Sequence, residues 1–161
     1  MSKVLLQLLM SFLGTLGFSI LFNLRGTKLF LAALGGMLSW CVYLLLEPYI
    51  SGAPVRYFFC SFFLAFYAEV LARVLKTPAT TFLIPPLIPL IPGSDLYYTM
   101  RFGLNRQWSQ CLSQAFFTLK LAVALALGII AVLSILGVIN VLLNRSWYAS
   151  APKMRDKEKT P

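Results

Sequence analysis

Five long apolar runs, joined by loops too short to hold a domain of their own, constrain this chain more than any other feature. They are Val4–Phe22, Leu29–Leu46, Tyr57–Leu75, Thr80–Met100 and Ala115–Leu143. A helix crosses a bilayer with about 20 predominantly apolar residues. The first three runs fit that length. The fifth is longer, so it tilts or rests its first turn at the interface. Of the 161 residues, 59% are hydrophobic and 12% charged; soluble domains use about 45–50% and about 25%. The expected fold class is therefore all-α: a polytopic helical membrane protein with about five transmembrane segments, the fourth broken by prolines.

One transmembrane domain spans residues 1–148, and a charged tail, "APKMRDKEKTP", lies within 149–161. Its composition predicts a disordered cytoplasmic segment. Trp147 and Tyr148 precede it and suit an interfacial anchor. The first run follows Lys3 and resembles a signal peptide. It is long for that role, and no small-x-small cleavage site follows before Asn23, so it reads as a retained helix.

The net charge of +9 does not point to nucleic acid. The cations sit at the ends of apolar runs or in the tail, with no basic patch interleaved with aromatics. Such charges orient membrane helices. With the N-terminus outside, the inner side holds Arg25, Lys28, Arg73, Lys76, Arg145 and four tail cations. The outer side then holds Lys3, Arg56, Arg101 and Arg106. The inner excess predicts N-terminus out and C-terminus cytoplasmic. If the proline run dips in and returns instead, both termini share a side.

Enzyme chemistry finds little footing. The chain has no histidine, which removes HExxH metal sites and Ser–His dyads. Cys41, Cys60 and Cys111 have no paired spacing, so neither a disulfide framework nor a zinc site is expected. No metal or cofactor is called for.

The proline run, "TTFLIPPLIPLIPGSDLYYTM", is the anomaly. Proline lacks an N–H and clashes with the carbonyl four residues back. In hydrocarbon each unpaired carbonyl costs several kcal/mol unless protein or water reaches it. One reading is a kinked packing helix. The other is a discontinuous helix whose unwound centre lines a polar cavity, as in transporter substrate sites. Four prolines between Pro85 and Pro92 exceed what a kink needs. Gly93 then frees the backbone, and Ser94 or Asp95 can cap a new helix through Tyr97, Tyr98 and Met100. That half-helix would offer free N–H groups to a carboxylate.

Ionisable residues inside membrane runs are functional candidates by default. Glu69 and Arg73 are four apart and share a helix face. They form either a structural ion pair near the interface, or a proton-coupling carboxylate with a counter-ion or substrate clamp. Lys120 either snorkels to the outer surface, or its ammonium holds an anionic substrate or pairs with Glu69 or Asp95. Asp95 either caps the second half-helix or takes up a proton. Asn23 caps or punctuates the turn after the first run. Gly14, Gly17, Gly35, Gly36 and Gly128 read as close-packing positions.

The segment "AEVLARVLKTPATTFLIPPLIPLIPGSDLYYTM" resembles the threonine/serine exporter (ThrE) family, most closely the small subunit of its split, two-gene members. The carrying residues are Glu69, Ala72 and Arg73, then Pro78, Ala79 and Thr80, then Pro89, Leu90, Pro92 and Gly93, then Tyr97 and Met100. "GFSILFN" and "LGGMLSW" are similar to the same family, so the resemblance covers most of Gly17 to Met100. Asp95 departs from the family pattern, where small residues follow Pro-Gly.

The resemblance implies a secondary exporter in the bacterial inner membrane, driven by the proton gradient. The cargo would be threonine and serine or, as in the split branch, small dicarboxylates. Full-length relatives carry roughly ten helices, which read as two five-helix units. A larger ThrE-like membrane subunit with a soluble N-terminal part is therefore the implied partner. A structural subunit serving such a partner and a homo-oligomeric small transporter are the other readings.

Overall fold

The computed structural model describes residues 2–150, with side chains described for residues 3–139. The expected tail from residue 151 and the side chains of Trp147 and Tyr148 lie outside the described residues. The helices are α1 (Ser2–Leu21), α2 (Thr27–Leu46), α3 (Ala53–Leu75), α4 (Thr80–Leu87), α5 (Gly93–Leu104) and α6 (Trp108–Ser150). A 3-10 turn, Ile88–Leu90, follows α4. The chain is all-α, and α1, α2, α3 and α6 are each long and apolar enough to cross a membrane.

Two boundaries differ from the sequence reading. Helix α3 begins at Ala53, with Pro54 in its first turn, because proline's fixed φ and missing N–H cost nothing there. Helix α6 begins at Trp108, seven residues before the apolar run, and has 43 residues. At 1.5 Å per residue it is about 65 Å long, roughly twice a hydrocarbon core. Its first turns therefore extend beyond the span.

Helix α3 packs against α2, α4 and α6, while α1 packs mainly on α2 and α4 also touches both α1 and α2. Small and hydroxylic residues set these approaches. Ser11, Thr15 and Ser19 are buried along one face of α1. Ser11 donates to the Gly36 carbonyl across 3.0 Å, and Gly36 lies directly against Thr15. A Cβ on Gly35 would stand 2.7 Å from the Tyr67 ring, and the Tyr67 hydroxyl donates to the Leu31 carbonyl at 2.8 Å. Gly128 places α6 against the Phe58 carbonyl and Ser61 of α3. Gly35, Gly36 and Gly128 are thus packing glycines. Gly14 and Gly17 are not: both face open space, because the α1 contact runs along the Ser11–Thr15–Ser19 face instead.

Asn23 punctuates the turn after α1. It takes the left-handed conformation, φ 57°, while Leu24 N–H bonds the Ser19 carbonyl and Asn23 N–H that of Ile20. This is a Schellman ending. Arg106 closes α5 the same way, with φ 56°. Lys76 closes α3 with φ 49°, and its N–H and that of Thr77 both bond the Ala72 carbonyl.

Candidate functional site

The proline run is broken. Pro85 and Pro86 stay inside α4 and are buried, because their φ is compatible with helix even though they give no N–H to Thr81 and Phe82. Pro89 is the central residue of the 3-10 turn. Helical geometry then stops at Ile91, whose ψ is 129°, and Pro92, whose ψ is 64°. Gly93 begins α5 with open space around it.

The two halves have different surroundings. Helix α4 is wedged between α2 and α3, with Phe82 fully buried against Ala32 and Ala68. Helix α5 buries no residue and rests chiefly on α6. Tyr97, Tyr98 and Met100 are exposed on it, and Ser94 is exposed as well.

Neither Ser94 nor Asp95 caps α5, contrary to the sequence expectation. The N-cap position is Pro92, which has no side-chain donor or acceptor, and no side-chain cap bond forms. Asp95 falls in the first turn, three residues past the N-cap position, too far into the helix to serve as its N-cap. Its carboxylate instead accepts the Gln114 amide of α6 at 2.8 Å. One turn on, the Thr99 carbonyl accepts the Cys111 thiol at 3.4 Å. These pairs make α5 and the start of α6 an antiparallel hairpin.

The break lies beside the end of the bundle where α2 meets α3. Leu90 packs with Cys60 and Leu125, flanked by Tyr43, Tyr57 and Leu87. Trp40 stacks on Tyr43 with ring centroids 5.1 Å apart, and Tyr57 meets Tyr43 edge-on at 5.3 Å. The Arg56 guanidinium sits 4.6 Å over the Tyr43 ring. A groove of about 270 Å³, lined by Gln7, Met10, Ser11, Trp40 and Pro89, opens on the same aromatic row.

Glu69 and Arg73 do pair, with Arg73 Nε 3.9 Å from Glu69 Oε2. They do not join Asp95. Tyr57 and Glu69 are twelve residues apart on α3, about 18 Å along the axis. Their pair belongs to the end where Ala68 packs on Phe82 and α4 begins. A cleft of about 560 Å³ at the end where α4 begins is lined by Phe22, Asn23, Leu24, Arg25, Lys28 and Thr81. Lys120 is exposed on α6 and, among the described residues, makes no ion pair with Glu69 or Asp95. The site candidates therefore separate into a break region (Pro89, Pro92, Gly93, Ser94, Asp95, Tyr97) and an α3-end pair (Glu69, Arg73), with Lys120 apart on the surface.

Sequence reasoning missed Arg56, Trp40, Tyr43 and Gln114. Pro54 was the available signal for Arg56: a helix opened by that proline puts Arg56 in its first turn, beside Tyr57. Gln114 was hidden by taking α6 to begin at Ala115.

An all-α bundle with four helices long and apolar enough to span a membrane, and one discontinuous element beside them, defines a polytopic membrane protein. The sequence pattern of the family described as "Threonine/Serine exporter, ThrE" matches residues 7–135, and the chain belongs to that family. No curated protein and no solved structure matches it.

Proposed function

We propose that the chain is a subunit of a secondary active exporter of small carboxylated metabolites, with its transport site at the break between Pro89 and Asp95. The carrying observation is the asymmetry of the proline run: α4 is locked in the bundle, while α5 has no buried residue. A substrate path can open between a fixed half and a half held mainly through α6. Family membership makes threonine and serine the first substrates to test, with small dicarboxylates beside them. Export against a gradient requires a coupling ion, and Asp95 or Glu69 taking up a proton would supply it.

The partner in this proposal is a larger membrane subunit of the same family. The exposed surface of α5, with Tyr97, Tyr98 and Met100, is the surface it would cover. The same surface supports the second reading, in which this chain chiefly supports a partner that holds the complete site. In a bacterial inner membrane, the excess of Arg25, Lys28, Arg73 and Lys76 at one end of the bundle favours that end as cytoplasmic.

The test is efflux of labelled threonine, serine and succinate from cells expressing the chain with its partner. Faster efflux of at least one than from empty cells is expected. Equal efflux of all three would overturn the substrate class. Substitutions at Pro92 or Gly93 that abolish flux while the complex assembles support a site in this chain; loss of assembly alone supports the second reading.

A further inference from the structure

The α1–α2 turn and the start of α4 border a second cavity, away from the helix break. This cleft of about 560 Å³ is lined by Phe22, Asn23, Leu24, Arg25, Lys28 and Thr81. The lining carries two cations and no carboxylate. Among the described residues, neither Arg25 nor Lys28 has an acidic partner. Arg25 is held in place: its Nε donates to the Asn23 side-chain oxygen at 3.2 Å, and Asn23 is fixed by the left-handed ending of α1. That bond leaves the two Nη groups of the guanidinium for another acceptor. Between the two cations, α2 begins after Gly26 with no side-chain cap, so the positive end of its dipole adds to theirs.

A smaller cavity of about 200 Å³ shares Phe22, Leu24 and Thr81 with the cleft and continues to Thr80, Ile84 and Pro85. Ile84 lies one turn past Thr80 on α4, roughly 6 Å further along the bundle. Phe22 and Ile84 are exposed, so this crevice opens on the outside of the bundle. The turn that carries Phe22 to Arg25 lies between the candidate spans Lys3–Leu21 and Thr27–Leu46. The cationic cleft therefore sits where the helices leave the hydrocarbon, and the apolar crevice runs inward from it.

We propose that this pair of cavities binds an anionic phospholipid, its phosphate between Arg25 and Lys28 and its glycerol and first acyl carbons along Phe22, Leu24 and Ile84. A phosphate offers acceptor oxygens to the Arg25 Nη groups, the Lys28 ammonium and the Thr81 hydroxyl. Basic pockets between spanning helices suit such headgroups. A zwitterionic headgroup brings an ammonium of its own, and the lining has no carboxylate to receive it. A free phosphate or a small carboxylate meets the same cations but leaves the crevice unfilled and loses that apolar contact. The bound lipid ties the α1–α2 turn to the fixed half of the proline run. This site does not depend on what the chain transports.

The test is native mass spectrometry of the full chain, with whichever membrane subunit copurifies, titrated in detergent with phosphatidylglycerol or phosphatidylethanolamine of the same acyl chains. Phosphatidylglycerol should bind saturably and about tenfold or more tighter. R25Q/K28Q should weaken its binding by about tenfold or more and narrow the gap between the two lipids. R73Q/K76Q removes the same charge from the same end of the bundle without touching the cleft lining, and should leave binding nearly unchanged. Thr81→Glu puts a carboxylate among the cations and should weaken phosphatidylglycerol as R25Q/K28Q does. Circular dichroism establishes that each variant folds; if R25Q/K28Q does not, Thr81→Glu carries the test. Millimolar inorganic phosphate, threonine or succinate should displace little of the lipid. Equal binding of the two lipids, unchanged binding in the folded cleft variants, or an equal loss in R73Q/K76Q overturns the site. Displacement by any of the small solutes also overturns it, and assigns the cleft to a soluble ligand instead.

Discussion

The side-chain amide of Gln114 donates to the Asp95 carboxylate across 2.8 Å, tying the first turn of α5 to α6. Helix α5 has no buried residue of its own, so this bond and the Cys111–Thr99 contact carry much of its placement. A hydrogen bond to a charged group contributes about 1.5–3 kcal/mol. Gln114→Leu should therefore speed amide hydrogen exchange across residues 93–104 and leave α2 and α3 unchanged. Asp95→Asn keeps an acceptor oxygen and should preserve most of the protection, whereas Asp95→Ala should behave like Gln114→Leu. Identical exchange in all three would remove the bond from the account.

The packing glycines separate cleanly from the open ones. A Cβ on Gly36 meets Thr15, and one on Gly128 stands 2.5 Å from the Phe58 carbonyl oxygen. Gly36→Ala and Gly128→Ala should each cost about 1–3 kcal/mol, since backbone and a buried hydroxyl must move. Gly14→Ala and Gly17→Ala meet nothing within 4 Å, and the gain in helix propensity makes them neutral or stabilising by up to about 1 kcal/mol. Thermal unfolding of the purified chain in detergent checks the ranking.

Lys76 and Arg106 both sit in left-handed backbone conformation, at φ 49° and 56°. That region costs a residue with a Cβ about 1–2 kcal/mol relative to glycine. Lys76→Gly and Arg106→Gly should raise the unfolding midpoint, and Lys76→Val should lower it. The reverse order would show that the left-handed endings carry no strain.

The Glu69–Arg73 pair is loose, at 3.9 Å with Arg73 half-exposed. Such a pair contributes about 0.5 kcal/mol or less. Glu69→Gln and Arg73→Gln should leave the unfolding midpoint and complex assembly nearly unchanged. Efflux measured in the same variants then reports transport directly. Reduced efflux with intact assembly places the pair in coupling or substrate handling, and unchanged efflux makes it structural.

The spanning helices were legible in the sequence because apolar length alone specifies them. The break was legible because proline and glycine act locally on the backbone, whatever surrounds them. Residues whose role depends on a distant neighbour were not. Asp95 looked like a cap because Ser-Asp after Pro-Gly is a capping pattern; its partner Gln114 is nineteen residues on. Arg56 looked like a loop cation because its burial comes from Tyr43 on another helix. Gly14 and Gly36 look alike in sequence, and only the Thr15 contact distinguishes them.

The most direct measurement is the initial rate of efflux with the break repaired. Pro92→Ala/Gly93→Ala restores an N–H and a helix-favouring residue at the two positions where the helix stops. With the protein at its usual level in the membrane, efflux of the transported carboxylate should fall by about tenfold or more, equivalent to ~1.4 kcal/mol in the barrier. Efflux at the unmodified rate from that variant would contradict a transport site at the helix break.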